Sequence, residues 1–183
     1  MIMILLYDTA IRIAELLELK ISSLKLTSVP SIHIHGKGDK ERSVSITDAT
    51  VSHLKKYLRQ FHPEMLPDQP LFYTKIKGSI APMSPGNVSR IINKYADAIR
   101  PEHPNLPKHL HCHMFRRTRA TGLYRNGVEL EMISVILGHS STETTRIYAT
   151  PSIEMLEEAM NTANSTIPDE TPEWEENEDE LAR

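Results

Sequence analysis

Three features of the sequence predict a mainly α-helical domain with one small antiparallel β-hairpin or sheet. Apolar residues recur at spacings of three and four over 51–61 and 88–99, the period of a helix with one buried face. Residues 31–46 instead alternate apolar and polar around a glycine-bearing turn. Prolines and glycines fall between these stretches, where helices should begin or stop.

The first 19 residues hold Leu5, Leu6, Ile11, Ile13, Leu16, Leu17 and Leu19 among good helix formers, so 2–19 reads as one buried helix or two short ones. No Ser, Thr, Asp or Asn precedes it as a cap, and a further N-terminal segment is therefore expected upstream. Ile32-His33-Ile34-His35, the turn Gly36 to Arg42, and Val44-Ser45-Ile46 describe a hairpin. Thr47 or Asp48 caps a helix with Val51, Leu54, Leu58 and Phe61 on its inner face, ending before Pro63. Leu71 to Thr74 is at most a short strand. Ser84-Pro85 places a cap and an N1 proline ahead of a helix with Val88, Ile91, Ile92, Tyr95 and Ile99 inward. The three prolines of 101–109 mark a loop. A helix from about His111 to Arg125 should end at Asn126-Gly127, and a short one through Ile133, Ile136 and Leu137 should end at Gly138. Ser140 to Glu143 has capping-box spacing and opens a helix carrying Thr145 to Tyr148. A last helix spans about 152–163. The domain is thus expected to occupy 1–164, and 165–183 to form an acidic, solvated tail.

With 183 residues, 39% hydrophobic, 25% charged and a mean hydropathy of −0.35, the composition excludes a disordered chain, a collagen and a disulfide scaffold. The apolar opening Met1 to Tyr7 is too short for a membrane span of about 20 residues and lacks a basic segment before it. The single Cys112 cannot form an internal disulfide, which fits a cytoplasmic protein. The net charge of −3 hides a division: residues 1–150 carry 20 Lys/Arg against 13 Asp/Glu, a formal +7, and residues 151–183 carry one Arg against 11 acids, a formal −10. A basic body favours a polyanionic partner such as nucleic acid.

Four local motifs stand out by their joint order. They are Tyr7-Asp8-Thr9-Ala10-Ile11-Arg12-Ile13-Ala14-Glu15-Leu16, the Gly36 to Arg42 turn, His113-Met114-Phe115-Arg116, and Leu137-Gly138-His139-Ser140-Ser141 with Tyr148 nine residues after the histidine. Over residues 1–155 this series resembles the catalytic domain of the tyrosine recombinases, the phage integrase family. The resemblance implies site-specific cleavage and rejoining of double-stranded DNA through a 3′-phosphotyrosyl intermediate at Tyr148, without metal or ATP, in the integration or excision of a mobile element. It implies other recombinase protomers as partners, in a tetramer on paired DNA sites. The catalytic set would be Arg12, Lys37, His113, Arg116, His139 and Tyr148, with Lys40 as the fallback for Lys37. Lys40, Arg42, Arg117 and Arg119 are the expected DNA contacts. The usual glycine of the first motif is Ala10 here, and these 183 residues do not include the helical core-binding domain that normally precedes this one.

These residue types suit that chemistry. Arginine binds phosphate oxygens through a planar fork and stays protonated, and His113 and Arg116, three apart, share one helix face. A lysine can donate a proton to a leaving alkoxide. A tyrosine needs neighbouring cations to become a nucleophile. On one unbroken helix, nine residues at about 100° each would put His139 and Tyr148 on opposite faces, so a break is required between them, and Gly138 with the Ser140 box supplies it. Taken singly, each group has a plainer use: Arg12 as a solvated helix residue, Lys37 and Lys40 as hairpin-tip charges, His139 as a helix cap, Tyr148 as core. His109, His111, Cys112 and His113 lack a second ligand pair for zinc, and no metal is expected. A catalytically silent DNA-binding remnant and a type IB topoisomerase are the alternative readings.

Overall fold

The computed structural model describes residues 1–36 and 40–164. Residues 1–150 form one compact unit, and residues from Pro151 belong to a second. In the first, α1 (Ile2–Asp8) and α2 (Ile13–Glu18) are the two short helices expected of the apolar opening. Thr9 separates them: its hydroxyl donates to the Leu5 carbonyl at 2.7 Å, which also accepts from the Thr9 N–H, and accepts from the Ile11 N–H at 3.3 Å, a donor that a continuous helix would have sent to Tyr7. Ala10 then turns the chain at φ 51°, in the left-handed region.

The hairpin is β2 (Ser31–Gly36) paired antiparallel with β3 (Lys40–Ser45), and a two-residue strand β1 (Leu24–Lys25), not expected from sequence, extends it in the order β1-β2-β3. The period-2 pattern is kept: Ile32, Ile34 and Val44 are buried on the core face. Thr47 caps α3 (Asp48–Phe61), accepting from the Thr50 N–H. Asp8 pins this cap to the end of α1 by accepting from the Thr47 N–H at 2.9 Å and hydroxyl at 3.1 Å. The short strand at 71–74 is realised as β4 (Tyr73–Ile76), and it pairs with an unexpected β5 (Ser79–Pro82) around Lys77 and Gly78, both at positive φ. Helix α4 (Pro85–Ile99) starts on the Ser84 cap. Two expected inner faces are narrower than drawn: Phe61, Tyr95 and Ile99 are exposed, whereas Val51, Leu54, Leu58, Val88, Ile92 and Ala96 are buried.

Helix α5 (Cys112–Arg125) and helix α6 (Leu130–Leu137) follow, the latter closed by Gly138 at φ 63°. The segment after Ser140 differs from expectation. Ser141, not Ser140, is the cap, and the element is a 3-10 helix over Thr142–Tyr148. A large core joins α1–α4 to the three-stranded sheet; a small cluster joins Ala10, Ala120, Ile133, Leu137 and Tyr148. In the second unit, Ser152 caps α7 (Ile153–Asn164), on which Ile153, Leu156 and Met160 form an exposed apolar stripe. The expected tail at 165–183 lies outside the described residues. Among those described, no helix is long and apolar enough to cross a membrane.

Candidate active site

The site is organised by the C-terminal end of α6. A helix leaves its last carbonyls without intrahelical donors and concentrates negative potential there. Here Gly138, in the left-handed conformation, ends the helix, and the His139 N–H returns to the Ser134 carbonyl. The Val135 carbonyl accepts from the Gly138 N–H, and the three carbonyls after it each accept from a different arginine: Ile136 from Arg42 Nε at 3.1 Å, Leu137 from Arg116 Nη2 at 2.7 Å, and Gly138 from Arg12 Nη2 at 3.2 Å. Three guanidinium groups from three distant stretches of sequence are thereby gathered on one helix end.

Glu15 locks two of them. Its carboxylate is buried and accepts from the Arg12 N–H and Nη1, both at 2.9 Å, and from Arg42 Nη1 at 3.0 Å and Nη2 at 2.8 Å. Burial alone would raise its pKa, but the bonds from Arg42 and Arg12 overcome this and hold it at about 2. Arg12 sits at the N-cap of α2 with 42% of its side chain exposed, so it faces the open side of the site. Arg42 is 11% exposed and turned inward, opposite Ile34 on the core face of β3. It was expected on DNA; its guanidinium is instead spent on Glu15 and Ile136, as a positioning group.

Arg116 is buried and also donates to the Ala10 carbonyl at 2.6 Å. Burial, and then Arg12, lower its pKa to about 10, so it remains charged at neutral pH. Among the described residues no carboxylate forms a salt bridge with it. A buried cation without a paired anion is costly and favours an incoming one. The turn at Ala10 aims that carbonyl at Arg116, which is why a left-handed backbone is needed at the position where the resemblance leads one to expect glycine.

His139 borders a cavity of about 530 Å³ together with Arg12, Arg42, Gly138 and Thr144. Its Nδ1 lies 2.8 Å from the hydroxyl of the buried Thr145, and its ring stacks at 6.4 Å on Tyr148. Desolvation, then Arg116, Arg12 and Arg42, push its pKa down to about 4, leaving the imidazole neutral at pH 7. Tyr148 is only 4% exposed, and its phenol lies close enough to Arg116 to favour that group's charge.

The structure therefore brings Arg12, Arg116, His139 and Tyr148 together. His113, one turn before Arg116 on α5, is exposed and adds to the field at His139. Lys37 lies outside the described residues, and Lys40 begins β3 opposite Gly36. Arg117 is exposed on α5, whereas Arg119 pairs with buried Asp8 at 3.5 Å and lies 5.6 Å from the Tyr7 ring centre. Sequence reasoning missed Glu15 and Thr145. The signal for Glu15 was its place three residues after Arg12, the capping-box spacing; that for Arg42 was its inward register with Val44.

Comparison with known proteins agrees with this geometry. Residues 1–155 match the phage integrase family. A tyrosine recombinase of Agathobacter rectalis is 40% identical over 145 residues, covering 79% of this chain and 44% of that protein. The crystal structure of XerA recombinase superposes with a TM-score of 0.69 at 31% identity, over 88% of this chain and 54% of that one. XerH site-specific recombinase bound to difH substrate gives 0.65 at 30%, over 87% and 44%. The chain spans about half the length of these relatives. With Arg12, Arg42 and Arg116 gathered on one helix end and a family match over most of its length, the chain belongs to the phage integrase family.

Proposed function

We propose that this chain is the catalytic part of a site-specific recombinase that cuts and rejoins DNA through Tyr148, serving the integration or excision of a mobile element. The observation that carries the reading is the cluster of Arg12, Arg42 and Arg116 with a single carboxylate, Glu15, beside a neutral His139 and the Tyr148 ring. Three positive charges against one negative leave a surplus of two, which a phosphodiester would halve and the doubly negative five-coordinate transition state would balance.

In this reading Arg12, on the open side, binds a non-bridging oxygen of the scissile phosphate, and Arg116 stabilises the developing charge from beneath. His139, fixed by Thr145, and His113 exchange or share protons at the phosphate. The phenol attacks phosphorus as its proton passes to the neutral imidazole of His139, the 5′ oxygen departs with a proton supplied by Lys37, and a 3′-phosphotyrosyl ester remains; attack by a 5′-hydroxyl reverses the step. Because the ester bond is exchanged and not hydrolysed, rejoining needs no outside energy source. The ring's burial means that the 3-10 helix at Thr142–Tyr148 must move outward for in-line attack. Arg117 and Lys40 contact the DNA backbone, and the apolar stripe of α7 docks on another protomer in a tetramer.

The test is Tyr148→Phe on a nicked suicide substrate. Covalent trapping should vanish while DNA binding persists, and binding should fall steeply with salt. Trapping that survives the substitution overturns the assignment.

A further inference from the structure

On the face of the hairpin turned away from the core, with Glu41 at the rim of the cavity that Arg12 and His139 also line, three potential ligands converge that the proposed recombination chemistry does not use. His33 and His35 alternate onto this face of β2, and Glu41 stands on β3 directly across from His35. One carboxylate oxygen of Glu41 lies 3.2 Å from His33 Nε2 and the other 2.9 Å from His35 Nδ1, and all the ligand atoms fall within 4.8 Å of one another. Among the described residues this is the one such group of His, Cys, Asp or Glu. The histidines that the sequence singled out at 109–113 do not form another.

From this geometry we infer a binding site for a divalent transition-metal ion of the zinc class, held by His33 Nε2, His35 Nδ1 and Glu41. Ligands about 2.1 Å from a tetrahedral ion stand roughly 3.4 Å apart, so the 3.2 and 2.9 Å separations are close to what an ion needs, and the others, within 4.8 Å, must close by at most about 1.4 Å. Outer-sphere support is already in place. Ser43, across from His33, puts its hydroxyl 3.3 Å from His33 Nδ1; with the proton on that nitrogen, the Nε2 lone pair is free for the metal. Without metal, His33 Nε2 and His35 Nδ1 stand within hydrogen-bond distance of Glu41. All three side chains are at least 40% exposed, so an ion enters from solvent and keeps water in its remaining positions. Ligands on both strands make the ion a clasp across β2 and β3.

The experiment is calorimetric titration of the full chain with zinc ion at neutral pH, comparing wild type with His35→Gln, Glu41→Gln and a His109→Gln/His111→Gln double variant. One ion per chain should bind to wild type and to the double variant. Each hairpin variant should lose more than about tenfold in affinity, since even outer-sphere changes cost 10–100-fold. In wild type, the imidazole resonances of His33 and His35 should shift together and saturate at one equivalent, a readout that needs no variant. Absence of binding at millimolar zinc, or binding that survives both hairpin substitutions, overturns the site.

Discussion

Replacing Glu15 by glutamine keeps its size and removes its charge, and so tests directly whether this carboxylate assembles the arginines. In the folded protein it accepts four hydrogen bonds from Arg12 and Arg42. A carboxyl that titrates at about 2 when folded and 4.5 when unfolded contributes about 3 kcal/mol at neutral pH. Removing one member of a buried pair independently suggests about 3–5 kcal/mol, because Arg42 at 11% exposure would be left uncompensated. The sign follows from the depressed pKa: the contribution is fully present above pH 4.5 and is lost as pH falls toward 2. Urea unfolding followed by circular dichroism should therefore place Glu15→Gln about 3 kcal/mol below wild type at pH 7, with the gap narrowing between pH 5 and pH 3. A gap under about 0.5 kcal/mol at pH 7, or one indifferent to pH, would refute the assignment. If the variant does not fold, Arg42→Lys serves in its place: it retains charge but loses the two-pronged contact, and should show a smaller deficit with the same acid dependence.

A Cβ on Gly138 would lie 2.7 Å from Arg42 Nη1, at a backbone φ of 63°, and that guanidinium is held by three hydrogen bonds; Gly138→Ala should cost about 2 kcal/mol or more in the same unfolding assay. Ala10→Gly should change stability by less than about 1 kcal/mol, because relief of the left-handed strain at φ 51° is offset by loss of a fully buried methyl worth about 0.8 kcal/mol. His139 titrates at about 4 when folded against 6.5 when unfolded, so the unfolded chain takes up its proton first on acidification; the melting temperature should fall between pH 6.5 and pH 4, and His139→Gln should flatten that part of the profile. Arg117→Ala should weaken DNA binding and reduce its salt slope by about one with little effect on melting, whereas Arg119→Ala, which unpairs buried Asp8, should lower the melting temperature.

The helices were legible wherever cap and period coincided. Thr47, Ser84 and Gly138 each occur where a terminus needs that residue, and the structure uses all three. The two-residue β1 and the strand β5 carry too few residues to show a period, and they form because neighbouring strands offer unpaired edges. Tyr95 and Ile99 satisfy the helical spacing of α4 yet remain exposed, since periodicity marks a stripe but not how far a core extends. In the site, residue types and order identified Arg12, Arg116, His139 and Tyr148. What could not be read was the partner of each: that Arg42 turns inward to Glu15, or that three consecutive carbonyls would receive three arginines, depends on contacts between segments far apart in the chain.

Those long spans bear on when the arginine cluster can assemble. Arg116 joins the turn at Ala10, 106 residues earlier, to Leu137, 21 residues later, and Arg12 reaches Gly138 across 126 residues. A polypeptide halted before α6 can pair Arg12 and Arg42 through Glu15 but has no helix end to receive the three guanidinium groups, and closing such large loops carries an entropic cost. The three guanidinium groups can thus gather only once α6 and Gly138 have been made, and on the reading proposed above a chain stopped before them lacks its phosphate-binding cluster.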